Sequence, residues 1–136
     1  DPDDPAYDEF MAEEGAAAAR EQNETLERFF AGADLLVHDA QYTRAEYEAG
    51  RVGWGHTAIE DAIAAARRAG VRRLALFHHD PERTDAQLDR MTAAYCTPGT
   101  AGAMDLFFAR EGQEIVLRGD VATPAQEPFA NGDLRP

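Results

Sequence analysis

Two short apolar runs, each ending in histidine and aspartate, constrain the fold more than any other feature of this sequence. They are DLLVHD at residues 34–39 and VRRLALFHHD at residues 71–80. Both are too brief for helices, and both suit buried strands. An apolar stripe at helical spacing, within HTAIEDAIAAARRAG, lies between them. Strands that alternate with helices in this way predict an α/β fold.

The intervening segments carry helix signals with recognisable ends. Strong helix formers run over residues 16–31 and end at Gly32. A short helix at residues 43–50 has Thr43 as its N-cap. The next helix is expected to begin after Thr57, because Thr57 and Glu60 have the spacing of a capping box. A further helix follows in TDAQLDRMTAAY.

The two ends of the chain differ from this alternating pattern. MDLFFARE and QEIVLRG, split by Glu111-Gly112, predict a closing β-hairpin, which would make the sheet mixed. Residues 1–15 are acidic and interrupted by proline, so we interpret them as a loop or arm. The main domain is expected over residues 16–119, followed by an extended tail at 120–136.

Composition excludes some classes of protein. The formal net charge is −13, and every basic side chain is arginine. Such an acidic chain makes nucleic acid an unlikely partner. The apolar runs are too short and too charged for a membrane span. Cys96 is the single cysteine and no secretory signal is evident, so a cytoplasmic location is expected. A homo-oligomer stays possible.

The four histidines fall at three places that could carry chemistry. His38 lies at the end of the first predicted strand, His56 in a glycine-rich loop, and His78 and His79 at the end of the second strand. The carboxyl ends of strands are where α/β folds build their sites. Imidazole and carboxylate are ligands for zinc, iron or manganese. With no HxH or HExxH pair, spacing alone leaves buried or surface histidines as the alternative.

Four segments in series resemble a known family. ADLLVHDAQYT, GWGHT, LALFHHDPERTDAQLD and AREGQEIVL are similar, in that order, to the C-terminal half of metallo-β-lactamase-fold hydrolases, closest to the ribonuclease Z and phosphodiesterase-like branch. The resemblance covers about residues 33–117. It implies half of an αββα sandwich, with a mixed sheet and helices on one face. The resemblance further implies that the N-terminal half of that fold lies outside this sequence.

The resemblance also implies roles for three residues. His78 matches the last metal-binding histidine of the family. His56 matches the histidine beside the scissile phosphate, which is a candidate proton donor to the leaving oxygen. Asp39 stands where the related enzymes carry a glutamate that orients that histidine. The carboxylate here is shorter, so the Asp39–His56 pairing depends on how close the two segments lie.

The remaining candidates have plainer expected roles. His38 is expected to be structural. His79 and Asp80 are expected to support the site from outside it or to form a turn, since Asp-Pro favours a turn whatever the function. Trp54 is interpreted as a packing residue, and Cys96 shows no reactive setting.

The function implied by the resemblance is metal-dependent hydrolysis, with phosphodiester bonds as the favoured substrate class over other small molecules. The family holds two metal ions, zinc by default and iron or manganese as substitutes. Its HxHxDH motif is not present here, so one ligand histidine cannot complete the site. The N-terminal half of the same domain, or another chain, is expected to supply the rest. Two alternatives are a non-catalytic binding or regulatory domain that keeps the fold, and an α/β interaction module with chance histidines.

Overall fold

The computed structural model describes residues 5–52 and 55–119 of the chain. The elements within these ranges alternate between helix and strand, in agreement with the α/β prediction. In chain order they are α1 (Pro5–Phe29), β1 (Leu36–Asp39), α2 (Arg44–Glu48), α3 (Ile59–Arg68), β2 (Arg73–Phe77), α4 (Asp85–Tyr95), α5 (Pro98–Ala101) and β3 (Asp105–Phe108).

The three strands form one parallel sheet in the order β1-β2-β3. The register places Leu36 opposite Leu74, and Leu74 opposite Leu106. Parallel neighbours cannot be joined by a tight turn and need a crossover. Helices α2 and α3 provide the first crossover, and α4 and α5 provide the second. Each crossover returns the chain to the same side, so all three carboxyl ends lie at one edge of the sheet.

The predicted hairpin and the mixed sheet are wrong for the part of the chain that is described. The segment MDLFFARE does contain β3, but β3 pairs in parallel with β2. QEIVLRG at residues 113–119 forms no strand. Val116 and Leu117 are 69% and 57% exposed, so their apolar side chains bury little here. A strand is stable only where it buries a face, which explains why the alternating pattern alone does not produce one.

The helices cover one face of the sheet, as predicted. Alternate residues of β2 and β3 pack in one core against the apolar stripe of α3. The strand residues are Leu74, Leu76, Leu106 and Phe108, and the helix residues are Ile59, Ala62, Ile63 and Ala66. On the opposite face, Val37 and Phe77 are each 56% exposed. The period-2 alternation of the strands therefore separates the face packed by helices from a face on which the larger apolar side chains are exposed.

Helix α1 begins at Pro5, eleven residues before the predicted start at residue 16. From Pro5 onward this segment is therefore a helix and not a loop, while its separation from the main domain as an arm stays a prediction. Proline is well tolerated in the first turn of a helix, and acidic residues favour that end because of the helix dipole. These two preferences explain how an acidic, proline-containing segment can start a helix.

One of the predicted helix caps is observed and another is not. Thr43 caps α2 in a capping box with Glu46, and Thr43 was predicted as the N-cap. The box predicted for Thr57 and Glu60 is not formed, because the N-cap of α3 is Ala58 and makes no side-chain cap. Both residues have other partners across the fold: the Thr57 amide donates to Asp39, and Glu60 accepts from the Arg44 amide and the Tyr95 hydroxyl.

Trp54 and the tail at 120–136 lie outside the described residues, and the division into arm, domain and tail remains a prediction. No helix within residues 5–52 and 55–119 is long and apolar enough to span a membrane.

Candidate functional site

Strands β1 and β2 place two of the predicted site residues side by side. Asp39 is the last residue of β1 and lies opposite Phe77, the last residue of β2. His78 follows directly. His56 reaches the same edge from the loop before α3, where an isolated bridge between Tyr42 and Ala58 holds that loop against the end of β1. The fold thus brings together three side chains, of which His56 and His78 lie 17 and 39 residues after Asp39 in the sequence.

Asp39 is the centre of this cluster, which we call the Asp39 cluster (Asp39, His56 and His78). Its Oδ1 lies 3.2 Å from Nδ1 of His56 and 2.9 Å from Nδ1 of His78. Its Oδ2 accepts from the Thr57 amide at 2.9 Å. An ionised carboxylate can only accept, so both imidazoles carry a proton on Nδ1. The Nε2 atoms of both rings are then left for other chemistry.

The electrostatics of Asp39 support this assignment. Partial burial tends to raise the pKa of the Asp39 carboxyl, but the hydrogen bonds from the Thr57 amide, from His78 and from His56 outweigh it. The pKa of Asp39 therefore lies below its ordinary value, and the group is a carboxylate at neutral pH. A fixed negative charge beside two imidazoles orients both rings.

The two imidazoles are packed against each other and remain accessible. Their ring centroids lie 5.1 Å apart in a stacked arrangement, and the Tyr42 ring meets His56 edge-on at 5.9 Å. The His56 and His78 side chains are 25% and 50% exposed. A ligand can therefore reach the cluster from solvent while the rings stay ordered.

The backbone at His78 is strained. Its φ is +60°, and it is the one non-glycine residue with positive φ among those described. The left-handed region of backbone conformation is unfavourable for any residue with a Cβ, and adopting it costs about 1–3 kcal/mol. Such strain persists where surrounding contacts fix it, and it is concentrated at functional sites.

The cluster fits a divalent metal ion as a partial ligand set. One ligand atom from each of Asp39, His56 and His78 can be chosen so that all three lie within 4.8 Å of one another. Two imidazoles and a carboxylate are the donors that zinc, iron and manganese prefer.

The other candidates lie outside the cluster. His38 donates from Nδ1 to the Asp39 carbonyl at 2.7 Å and meets Phe30 edge-on, which is a structural role. His79 donates from Nε2 to the Ala109 carbonyl at 3.0 Å and so ties β2 to the end of β3. Asp80 forms a turn, because its Oδ1 accepts from the Glu82 amide.

Sequence reasoning missed some of the residues that build the site. Thr57 was interpreted as a helix cap, whereas its amide binds Asp39. Cys96 is partly buried, and burial raises the pKa of its thiol, which agrees with the lack of a reactive setting. Arg83 was not singled out, although it is largely buried behind the site and contacts the loop after β1. The sequence shows only that an arginine follows His78 within five residues, and this does not indicate that Arg83 is buried.

Comparisons with known proteins match the part of the chain that contains the Asp39 cluster. The profile of the beta-lactamase superfamily domain matches residues 16–79. The ribonuclease Z of Ignicoccus hospitalis is 39% identical over 75 residues, which is 55% of this chain and 25% of that protein. The ribonuclease Z of Shouchella clausii is 36% identical over 83 residues, 60% of this chain and 26% of that protein. The ribonuclease Z of Thermococcus sibiricus is 41% identical over 61 residues, 45% of this chain and 19% of that protein. No solved structure matches the chain with significance.

These relatives overturn one expectation and confirm another. The expectation that nucleic acid is an unlikely partner is wrong, because the relatives are named as ribonucleases. Net charge failed as a guide because it averages over a chain, whereas substrate binding depends on the local potential at a site. The segment matched to the first two relatives is also only about a quarter of their length. Residues 16–79 nevertheless match the beta-lactamase superfamily domain, and the chain is similar in sequence to ribonucleases Z over part of its length.

Proposed function

We propose that this chain contributes the Asp39 cluster to a metal-dependent phosphodiesterase that cleaves RNA. The observation that carries the proposal is the shared carboxylate: Asp39 Oδ1 holds Nδ1 of both His56 and His78. RNA as the substrate is supported by the relatives named ribonuclease Z. The proposal replaces the broader substrate class of phosphodiesters or small molecules.

His78 is the proposed metal ligand. Its Nδ1–H is bound to Asp39, so its Nε2 is the atom that would coordinate. Metal ligation by histidine commonly uses this arrangement, in which a carboxylate fixes the other ring nitrogen. A bound metal pair would polarise the phosphate and lower the pKa of water. Zinc is the proposed metal, with iron or manganese able to use the same donor. The remaining ligands are proposed to come from residues outside this chain.

His56 is the proposed proton donor to the leaving oxygen. Asp39 holds its Nδ1–H, which leaves Nε2 as the nitrogen that can hold and release the transferred proton. At 25% exposure the side chain is partly screened from water yet open to a substrate. The short Asp39 side chain reaches His56, so the glutamate of the related enzymes is not required for this contact.

The roles of the two histidines are separable by substitution in the full-length protein. His78→Ala should lower the metal content after dialysis, because a coordinating imidazole is lost. His56→Ala should keep the metal yet slow cleavage about 10²–10⁴-fold. That loss should shrink for a nitrophenyl phosphodiester, whose leaving group hardly needs a proton.

His79→Ala is the matched control, because His79 is adjacent to His78 but binds the Ala109 carbonyl instead. It should change neither metal content nor the dependence on leaving group. Loss of metal in His56→Ala, or equal losses for good and poor leaving groups, would refute the role of His56. Full metal binding without any turnover in the native protein would instead favour a non-catalytic binding domain.

A further inference from the structure

The strained backbone of His78 requires contacts that hold it in place. Its bond to Asp39 is one of them, but that bond fixes the ring and not the loop. The loop from His78 to Thr84 leaves the sheet edge and begins α4. Something must keep this loop at a constant distance from the end of β1, because Asp39 lies there and the two side chains must meet.

Arg83 makes this connection. Its Nη2 donates to the Gln41 carbonyl at 3.1 Å and to Glu46 Oε2 at 2.5 Å. Gln41 lies two residues beyond Asp39, and Glu46 lies in α2. The arginine therefore links the loop after β2 to both the loop after β1 and the helix that follows it.

The far end of this link is itself anchored. Glu46 Oε2 also accepts from the amide and the hydroxyl of Thr43 in the capping box of α2. The same oxygen thus receives three donors, and Thr43 lies four residues beyond Asp39. Burial tends to raise the pKa of Glu46, but the hydrogen bonds from Arg83 and Thr43 lower it below its ordinary value.

The Arg83 side chain is only 10% exposed, whereas its partner Glu46 is 45% exposed. Burying a guanidinium is costly unless it is paired and hydrogen-bonded. Gln41 is 8% exposed, and its Oε1 has no hydrogen-bond partner among the described residues. Loss of Arg83 would remove the donor from the carbonyl of the same buried residue. A buried, multiply bonded arginine at this place is a rigid spacer between the two loops.

We propose that Arg83 is a positioning residue for the metal ligand His78. It holds the loops after β1 and β2 at the separation at which Asp39 meets the His78 ring, and so keeps the strained backbone in the orientation that presents Nε2. This inference rests on the proposed role of His78 as a ligand. It assigns Arg83 no contact with substrate or metal.

The experiment compares variants of the full-length protein by their dissociation constant for Zn²⁺, measured by competition with a chelator, and by visible absorption after loading with Co²⁺. Arg83→Met should weaken Zn²⁺ binding about 10- to 100-fold, the usual effect of removing support behind a ligand. It should also alter the Co²⁺ spectrum, since the ligand would change orientation. Arg83→Lys keeps the charge but not the planar fork, and should recover part of the affinity.

Arg68→Met is the matched control. Arg68 also forms a 2.5 Å ion pair with a glutamate, Glu27, but at the junction of α1 and α3, away from the site. It should leave the affinity and the spectrum unchanged at a temperature where the protein is folded. A purely structural role for Arg83 would lower thermal stability and leave the Co²⁺ spectrum of the folded protein as it was.

Native metal binding in the variants would overturn the positioning role of Arg83. A folded Arg83→Met protein with native Zn²⁺ affinity and native Co²⁺ absorption overturns it. If Arg83→Met does not fold, then Glu46→Gln and Arg83→Lys take its place, and native affinity in both overturns it equally. His78→Ala in the same series separates this inference from the proposed function. Unchanged Zn²⁺ affinity in His78→Ala refutes the ligand role itself, whereas a loss there with none in the Arg83 variants refutes only the positioning role.

Discussion

The middle of strand β2 and its carboxyl end differ in burial, in backbone conformation and in what holds them. Leu74, Ala75 and Leu76 are at most 1% exposed and lie in regular parallel pairing. Two residues beyond Leu76, His78 is half exposed, has positive φ and is held by a carboxylate. The middle is fixed by packing and the end by hydrogen bonds. Stability and chemistry should therefore respond separately to substitution.

The largest expected effect is on the packed side. Leu76 is fully buried between the sheet and the helices. Leu76→Ala should lower the free energy of unfolding by about 2–5 kcal/mol, through lost burial and the cavity left behind. Val37→Ala, on the uncovered face, is the control and should cost well under about 1 kcal/mol. Urea unfolding measures both. Equal costs for the two variants would contradict the division of the sheet into packed and uncovered faces.

At the carboxyl ends of β1 and β2 we expect a smaller effect on stability and a clear effect on metal binding and turnover. Asp39→Asn keeps the size of the side chain but loses the charge that orients both rings. Metal affinity and turnover should each fall about 10- to 100-fold, the usual effect of removing an outer-shell partner. Chelator competition and steady-state kinetics measure the two losses. A fall in turnover with native metal affinity would show that Asp39 serves His56 alone.

The smallest expected effect is the acid sensitivity that Asp39 adds. Its folded pKa lies below the ordinary value of 3.8, so the stability it contributes is present above that pH and is lost as pH falls through the folded pKa. Urea unfolding of the native chain and of Asp39→Asn, from about pH 5 to about pH 3, should therefore converge in acid. A difference that widens as pH falls would show that the carboxylate is not favoured by folding.

The comparison also explains how much the sequence could predict. Short apolar runs and an apolar stripe of period 3.6 predicted β1, β2 and α3, because burial of apolar residues dictates all three. That helices cover one face of the sheet was implied by the family resemblance. The positions of Asp39, His56 and His78 near one another followed from the family resemblance, and the parallel sheet brings them together. Their assigned roles as ligand, acid and orienting group stay predictions.

What could not be predicted depends on contacts between distant segments. Thr57 and Glu60 have the spacing of a capping box, yet each is bound elsewhere by residues far along the chain. QEIVLRG has a strand pattern but no face to bury among the described residues. The strain at His78 and the burial of Arg83 leave no local signal, since both arise only once the two loops meet.

The parallel pairing has a consequence for how the chain folds. In the sheet formed by the described residues, no two neighbouring strands can be joined by a hairpin. Each hydrogen bond of that sheet therefore follows the closure of a long loop, and such topologies form slowly. Asp39 and His78 are 39 residues apart, so their bond cannot form before β1 and β2 have paired. The Asp39 cluster therefore forms only in chains in which β1 and β2 have paired. An ion that binds the whole cluster binds only those chains, and by mass action it raises their population.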